Sequence, residues 1–485
     1  MRRGLFALTL VFVLAPGLAG AASPAADAGL EARLAAALAA RPLRGAQVAA
    51  LVVDRASGET LFARYPDRPL VPASNLKLLT ALAALQAFGP THRFVTQLLS
   101  EAPADGEGAI DTLYVRGGGD PAITSEDFWR LAADLRRAGL RRVRGDLVLD
   151  DSAFDRERWH PSWGKVSARA YHAPIGALSV NYGAFAVAVE PGREAGDAVR
   201  AVVDPGISFL QLVNRASTGP GAARRSLQVD RRAGSHSEQV IVSGVAPAGS
   251  EPKTYPRSVL DPALYAGAVL RMQLEAVGIE VAGETRLGRV PDAAHELLSF
   301  AGHPLAEVVR RFLKYSNNAI GEALVKDLGA RASGEPGTWS SGVVALRAEL
   351  ATLGIPLEQL TLVDGSGLSY ENRATPRIFV EALRRGANSF RFGAEFVAAL
   401  PIAAADGTLE ERAEESSGLA RAKTGLLTRV TGLSGMAKQS NGEVACFSVL
   451  VNGFRGSAEE AMRAVDDFLA VLVGNQELLA GAPSS

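Results

Sequence analysis

The chain of 485 residues has one cysteine, Cys446, so no internal disulfide can form and a small disulfide-stapled fold is excluded. Cys446 lies inside the apolar run Val444-Ala-Cys-Phe-Ser-Val-Leu-Val451, which reads as a buried strand, not as the setting of a reactive thiol. Lysine is scarce as well: seven of the 51 basic side chains, which leaves 44 arginines (51 − 7). Neither sign of charge is in excess, since 51 Lys and Arg face 52 Asp and Glu for a formal net charge of -1. No field exists to hold a polyanion, so nucleic acid is not an expected partner. Beyond the first residues no stretch approaches the roughly 18 uninterrupted apolar residues of a membrane helix, and no integral span is expected. The six His show no metal-ligand spacing, and His295-Glu296 lacks the second His of H-E-x-x-H, so neither metal nor cofactor is expected. The glycine run Gly117 to Gly119 lacks the G-K-[ST] of a phosphate loop, and no G-x-S-x-G elbow occurs.

What the chain does have is apolar substance, 47% of residues against 21% charged. At about 150 residues per domain, the length suggests roughly two to four domains. The N-terminus reads as an export signal over residues 1–21: Arg2 and Arg3, an apolar stretch from Leu5 to Leu14, then Ala19-Gly20-Ala21 as the cleavage pattern. A periplasmic location follows from that reading.

Val48 to Asp54 and Glu59 to Ala63 read as a strand hairpin, and Pro72-Ala73 opens a helix from Ser74 to Phe88. Leu76, Leu78, Leu79, Ala81, Leu82, Ala84 and Leu85 cover nearly every face of that helix, which must therefore be buried. From Phe94 to Val290 the pattern changes to short β-like runs between turns, with helices near Ser125 to Ala138 and Pro262 to Val277; Ala233 to Glu238 and Ala246 to Pro256 read as loops. Long helices return at Pro304 to Lys314, Asn318 to Leu328, Gly342 to Leu353 and Pro376 to Arg385. A hairpin across Asn441-Gly442 joins strands Arg429 to Ala437 and Glu443 to Leu450, and an amphipathic helix, Ala458 to Val473, closes the chain. The expected fold class is α+β: an antiparallel sheet covered by helices on both sides, its two chain ends paired and inserted α+β material between them. The boundaries read as 22–93 and 294–485 for the outer domain, 94–180 and 262–293 for one insertion, and 181–261 for a second nested in it.

Three polar clusters stand at element boundaries. In Ser74-Asn75-Leu76-Lys77 the serine and lysine share a helix face, about 5 to 6 Å apart at Cβ, so an unprotonated amine can take the hydroxyl proton. Burial in an all-apolar helix disfavours the ammonium form and prepares such an amine. Helix-terminal amides beside Ser74 suit an oxyanion. In Tyr315-Ser316-Asn317-Asn318, Ser316 can pass a proton while the Asn318 amide both donates and accepts. In Lys423-Thr424-Gly425 a cation and a hydroxyl on an edge strand suit a carboxylate, and glycine lets a peptide backbone come close. Singly each has a plainer reading, as a cap or an exposed turn. A second Ser-x-x-Lys, Ser162 to Lys165, holds Gly164 and follows Pro161, which makes a poor helix.

In the order S-x-x-K, S-x-N, K-T-G, the trio resembles that of β-lactamases and penicillin-binding proteins. Gly117-Gly-Gly-Asp-Pro121, Asp364-Gly-Ser-Gly-Leu-Ser369 and the 242 residues (316 − 74) between Ser74 and Ser316 narrow the resemblance to the class C low-molecular-mass penicillin-binding proteins, the D-Ala-D-Ala carboxypeptidase/endopeptidases of bacterial cell walls. The resemblance implies a β-lactamase/transpeptidase-like outer domain, peptidoglycan stem peptides as substrate and β-lactam antibiotics as covalent inhibitors. It implies Ser74 as acylated nucleophile, Lys77 as its base, Ser316 and Asn318 as relay and clamp, and Lys423 with Thr424 as the electrostatic and hydroxyl side of the cleft, beside Gly425. The oxyanion hole would be the amides of Ser74 and Leu426. Two positions depart from the family. Leu426 replaces the usual Ser or Thr, and the charge-assisted hydrogen bond lost with that hydroxyl is worth roughly 1.5 to 3 kcal/mol. In Trp163 to Pro174, Val166 stands where relatives often place an Asp for the diaminopimelate amine, with Lys165 and Arg169 nearby. Alternatives on the same fold are a non-catalytic peptidoglycan-binding protein and a β-lactamase.

Overall fold

The computed structural model describes residues 24–235 and 237–474. The expected signal segment lies outside them. Strands β1 (Gln47–Asp54), β2 (Thr60–Arg64), β3 (Ala420–Leu427), β4 (Val430–Lys438) and β5 (Val444–Asn452) form one sheet in the order β3-β4-β5-β1-β2. Every pairing is antiparallel, and β1 meets β5 in unbroken register from Gln47 opposite Asn452 to Asp54 opposite Ala445. The N-terminal hairpin is thus completed by strands almost four hundred positions later in the chain, as the paired apolar runs require.

Helices cover both faces. Val48, Ala50 and Val52 of β1 share a core with Leu34 of helix α1 (Pro24–Ala37) and Phe468 of the last helix, Ala458–Val473. Ala49, Leu51 and Val53 point the other way, into a core with the helix α2 (Lys77–Phe88). A strand buried on both faces loses its polar alternation, which is why β1 reads as an unbroken apolar run. Around α2 stand α3 (Leu305–Lys314), α4 (Asn318–Ser333), α5 (Trp339–Thr352) and α6 (Pro376–Asn388). All residues of α2 from Lys77 to Leu85 are buried. Cys446, on β5, is fully buried, and burial pushes its thiol up to about 12.

The residues between carry their own core. Thr285–Leu287, Leu147–Asp150, Leu113–Arg116, Val95–Ser100 and His295–Ala301 form a mixed five-stranded sheet, in that order, with helices Ser125–Arg137 and Pro262–Ala276 contributing to its core. The described residues here also form three three-stranded sheets, and the sequence expectation needs correcting. The run Ala246 to Pro256, expected as a loop, ends in the first residues of strand Lys253–Ser258, which pairs with Ala184–Glu190 at the outer edge of its sheet. An edge position tolerates Pro256 because the missing N–H faces away from the ladder. Arg200–Asp204, Leu210–Gly219 and Gln228–Ala233 are further strands whose charged and polar composition hid them. The short helix Gly393–Ala399 was likewise not anticipated, and α4 runs on to Ser333.

Gly367 joins the loop after α5 to the start of the buried helix. Its φ is 80°, and a Cβ there would lie 2.0 Å from the Ala73 carbonyl oxygen. Gly367→Ala is therefore expected to lose at least about 1 to 2 kcal/mol of stability in urea unfolding, from left-handed strain and the clash together.

Candidate active site

Ser74 does not open the α-helix as expected; the helix begins three residues later. A 3-10 turn, Ala73–Leu76, precedes α2, so the serine lies within the turn and Lys77 opens the helix. Ala73 has a φ of 47°, strained for a residue with a side chain, and the strain lies immediately beside the hydroxyl.

Lys77 is fully buried. Its Nζ lies 2.8 Å from Ser74 Oγ, 2.8 Å from Asn318 Oδ1 and 2.7 Å from the Ser366 carbonyl oxygen. Asn318 Nδ2 donates to the Tyr171 carbonyl at 3.0 Å, which fixes the amide so that its oxygen faces the lysine. Two of the three neighbours can only accept. A neutral amine has two N–H donors, which those acceptors use, and its lone pair is left facing the Ser74 hydroxyl. Burial lowers the Lys77 pKa to about 7, against the opposing pull of Glu322 and Asp364. The amine is thus substantially deprotonated near neutrality.

The Ser366 carbonyl is itself held from behind. Glu322, fully buried on α4, accepts from Ser366 N at 2.8 Å, Gly365 N at 3.0 Å and Trp339 Nε1 at 2.8 Å. Asp364 accepts from Gly367 N, Ser369 N, Asn372 Nδ2 and Trp163 Nε1, so the Asp364 to Ser369 loop is a braced turn, as its glycines suggested. Ser366 is fully buried and accepts from Leu368 N, which leaves it no place as a nucleophile. Glu322 escaped the sequence analysis, although it stands four residues after Asn318 and so shares its helix face. Burial, with the Asp364 charge, pushes the Glu322 carboxyl up. Glu322→Gln would turn one amide hydrogen toward a donor. The expected loss is about 1 to 3 kcal/mol in thermal or urea unfolding, with a downward shift of the Lys77 pKa because a nearby negative charge is gone.

Lys423 lies fully buried on β3, the edge strand, opposite Ser434 of β4. Its Nζ donates to the Thr424 carbonyl at 2.8 Å, and Thr424 Oγ1 donates to Thr408 Oγ1 at 2.9 Å. Thr408, on a short turn, was not anticipated. Burial, then the charges of Lys77 and Arg412, hold the Lys423 ammonium well below its usual range. Gly425 is packed against the Ser74 turn. A Cβ there would meet Asn75 Nδ2 at 2.4 Å and the Pro72 carbonyl oxygen at 2.9 Å, so its smallness seats the Ser74 turn against β3.

The free edge of β3 can be mapped by parity. Ala422 N donates outward, to the Pro401 carbonyl at 2.9 Å, so the amides of Thr424 and Leu426 also point away from β4. Beyond the edge lies a cavity of about 500 Å³ that Ser74, Ser316, Asn318 and Leu426 line together. Leu426 is 48% exposed there. Ser316 has a φ of 54°, a second strained residue in the same groove. Two of the sequence clusters therefore line this cleft, through Ser74, Ser316 and Asn318, while the third reaches it through the next residue, Leu426, with Lys423 fully buried. Among the described residues no group of three or more His, Cys, Asp and Glu is arranged to hold a metal ion, and no helix is long and apolar enough to cross a membrane.

A helix-covered antiparallel sheet with a Ser-x-x-Lys turn against its edge strand is an arrangement in keeping with a serine hydrolase. Comparison with known proteins is more specific: the chain belongs to the D-Ala-D-Ala carboxypeptidase 3 (S13) family, whose profile matches residues 30–473. It is 37% identical over 452 residues to a D-alanyl-D-alanine carboxypeptidase of Actinomadura sp. (strain R39), covering 90% of this chain and 83% of that protein. It is 27% identical over 390 residues to D-alanyl-D-alanine carboxypeptidase DacB of Haemophilus influenzae, 79% of this chain and 81% of that protein. Its fold matches the crystal structure of penicillin binding protein 4 (dacB) from Haemophilus influenzae with a TM-score of 0.78 and 24% identity, over 90% of this chain and 97% of that one.

Proposed function

We propose that this chain is a serine DD-peptidase of peptidoglycan, cleaving terminal D-Ala-D-Ala bonds or D-Ala-diaminopimelate cross-links through an acyl-enzyme on Ser74, and acylated by β-lactams at the same atom. The carrying observation is the fully buried Lys77 Nζ, 2.8 Å from Ser74 Oγ and 2.8 and 2.7 Å from two oxygens, Asn318 Oδ1 and the Ser366 carbonyl, that can only accept. In the first step Ser74 Oγ bonds to the substrate carbonyl carbon as its proton passes to Lys77 Nζ. The negative charge on the carbonyl oxygen is met by the amides of Ser74 and Leu426. The C–N bond then breaks, and the leaving amine receives that proton from Lys77 through the Ser316 hydroxyl. Water attacks the ester, returns a proton by way of Lys77 and frees Ser74.

Lys423 and Thr424 take the terminal carboxylate in this reading. Among the described residues no carboxylate pairs with Lys423, so an arriving carboxylate raises its pKa and binding takes up a proton. Asn318 clamps the substrate amide and Lys77 at once, and Gly425 holds the nucleophile turn in place. The relatives support this substrate, two of them being named D-alanyl-D-alanine carboxypeptidases, and the Haemophilus penicillin binding protein 4 has also been solved in complex with a β-lactam. The proposal includes export to the periplasm by residues 1–21, with residues 94–293 as nested insertions in the peptidase domain.

Incubating the purified protein with pentapeptide muropeptides and cross-linked dimers, followed by mass spectrometry, tests the assignment. Loss of one D-Ala or scission of the dimer is expected. Intact products from both would reduce the protein to a wall-binding role.

A further inference from the structure

The cavity beside Ser74 has one end that the reaction does not use. The outward edge of β3 is covered at Ala422 by Pro401, and two positions later Thr424 and Leu426 stand open. At the next even position the edge is covered again, since Thr428 N donates to Tyr370 Oη at 2.9 Å. Tyr370 follows directly on the Asp364 to Ser369 loop, so this single bond ties the helical side of the cleft to the sheet side. It ends the strand edge after Leu426 and turns the groove into a compartment.

The compartment is walled by Trp163, Tyr171, Tyr370, Leu368, Leu426 and Leu427, with a few hydroxyls and the Asn318 amide. Among the described residues its lining has no Asp, Glu, Lys or Arg side chain. His172 is the one imidazole on the wall, and burial, with the facing Arg231 charge, lowers its pKa and keeps the ring neutral. Behind the wall Lys77 and Lys423 are both fully buried. The Asp364 carboxylate, reached through Trp163 Nε1 at 3.0 Å, is fully buried and already accepts four donors. A cation entering the compartment would lose water and find no counter-charge on its walls.

Resting on the peptidase reading above, we propose that this compartment is the subsite for an uncharged side chain on the acyl part of the substrate, and that Tyr370, by closing it onto Thr428, is a specificity-determining residue. Stem peptides whose side-chain amine is acylated or otherwise neutral are then preferred over those carrying a free ammonium.

Two peptides differing by one charge test this: Nα-acetyl-Lys-D-Ala-D-Ala and its Nε-acetylated form, compared by D-Ala release. The wild type is expected to favour the neutral peptide by at least about tenfold in kcat/KM. Thr428→Asp, which keeps the backbone donor and adds a carboxylate to the wall, is expected to invert that preference. Tyr370→Phe, which opens the end of the compartment, is expected to narrow it. A purely structural role for Tyr370 would lower both rates and leave their ratio unmoved. Equal rates in the wild type, or an unchanged ratio in both variants, overturn the subsite and leave the peptidase reading intact. No hydrolysis of either peptide overturns the peptidase reading, and the subsite with it.

Discussion

Ser74→Ala is expected to abolish covalent labelling by a fluorescent penicillin and to lower D-Ala release by at least about 10⁴-fold, the scale on which removing a nucleophile from a cooperating set acts. The loss should be this large because no other hydroxyl in the groove is placed to replace it. Among the contacts of the Lys77 amine, Ser74 Oγ is the one able to give up a proton; Asn318 Oδ1 and the Ser366 carbonyl oxygen only accept. Ser316 lines the same cavity but is not among those contacts. The substitution removes one oxygen from a turn held by other groups, with the Asn75 side chain donating through Nδ2 to the Pro72 carbonyl at 2.9 Å. The variant should therefore melt close to the wild type, and an unchanged thermal transition beside absent labelling separates chemistry from folding. Labelling equal to the wild type would move the nucleophile elsewhere.

The parts of this arrangement that show in the sequence are those set by short spacing. Ser74 and Lys77 are three apart, so one helical turn brings them together whatever surrounds it. Strand β1 and its hairpin partner show as apolar runs because both faces of β1 are covered. The hidden parts depend on long-range packing. Glu322 is an ordinary helical glutamate until the Asp364 to Ser369 loop folds over it and gives it three N–H donors. Thr408 matters because its turn passes beside β3, which local spacing does not reveal. The packing of Gly425 against Asn75 and Pro72 could not be read either, since glycine permits close approach without stating what approaches. The strands near Arg200–Asp204 and Gln228–Ala233 failed for a related reason: exposed charges on small sheets look like loops until the ladder forms.

Lys77→Met should cost about 10² to 10⁴-fold in the acylation rate, the usual contribution of a positioned general base. Methionine has a similar length, suits an apolar helix and leaves no buried charge, so the variant should fold. The pH dependence makes the test specific. In the wild type the acylation rate should rise with pH through about 7, as the ammonium becomes the amine that Ser74 needs, and level off above. The Met variant should lack that limb at its lower rate. Stability carries the same signature with a definite sign. The Lys77 pKa is about 7 in the folded chain against 10.5 for an unperturbed lysine, so between those values the unfolded state binds more protons. The Lys77 contribution to stability therefore grows as pH rises from about 7 to 10.5 and is lost on the way down, with a slope of at most about 1.4 kcal/mol per pH unit for one proton. Urea unfolding at several pH values should show a shallower rise for Lys77→Met. The slope should not vanish, because Lys423 is depressed by burial in the same region and remains. It should fall by more than the loss of one lysine suggests on the acidic side, since removing Lys77 also removes a charge that disfavours the Lys423 ammonium, and a Lys423 pKa nearer its ordinary value adds slope over a narrower range. Identical slopes in the two proteins would mean that Lys77 is protonated in the fold, and a protonated amine cannot serve as the base.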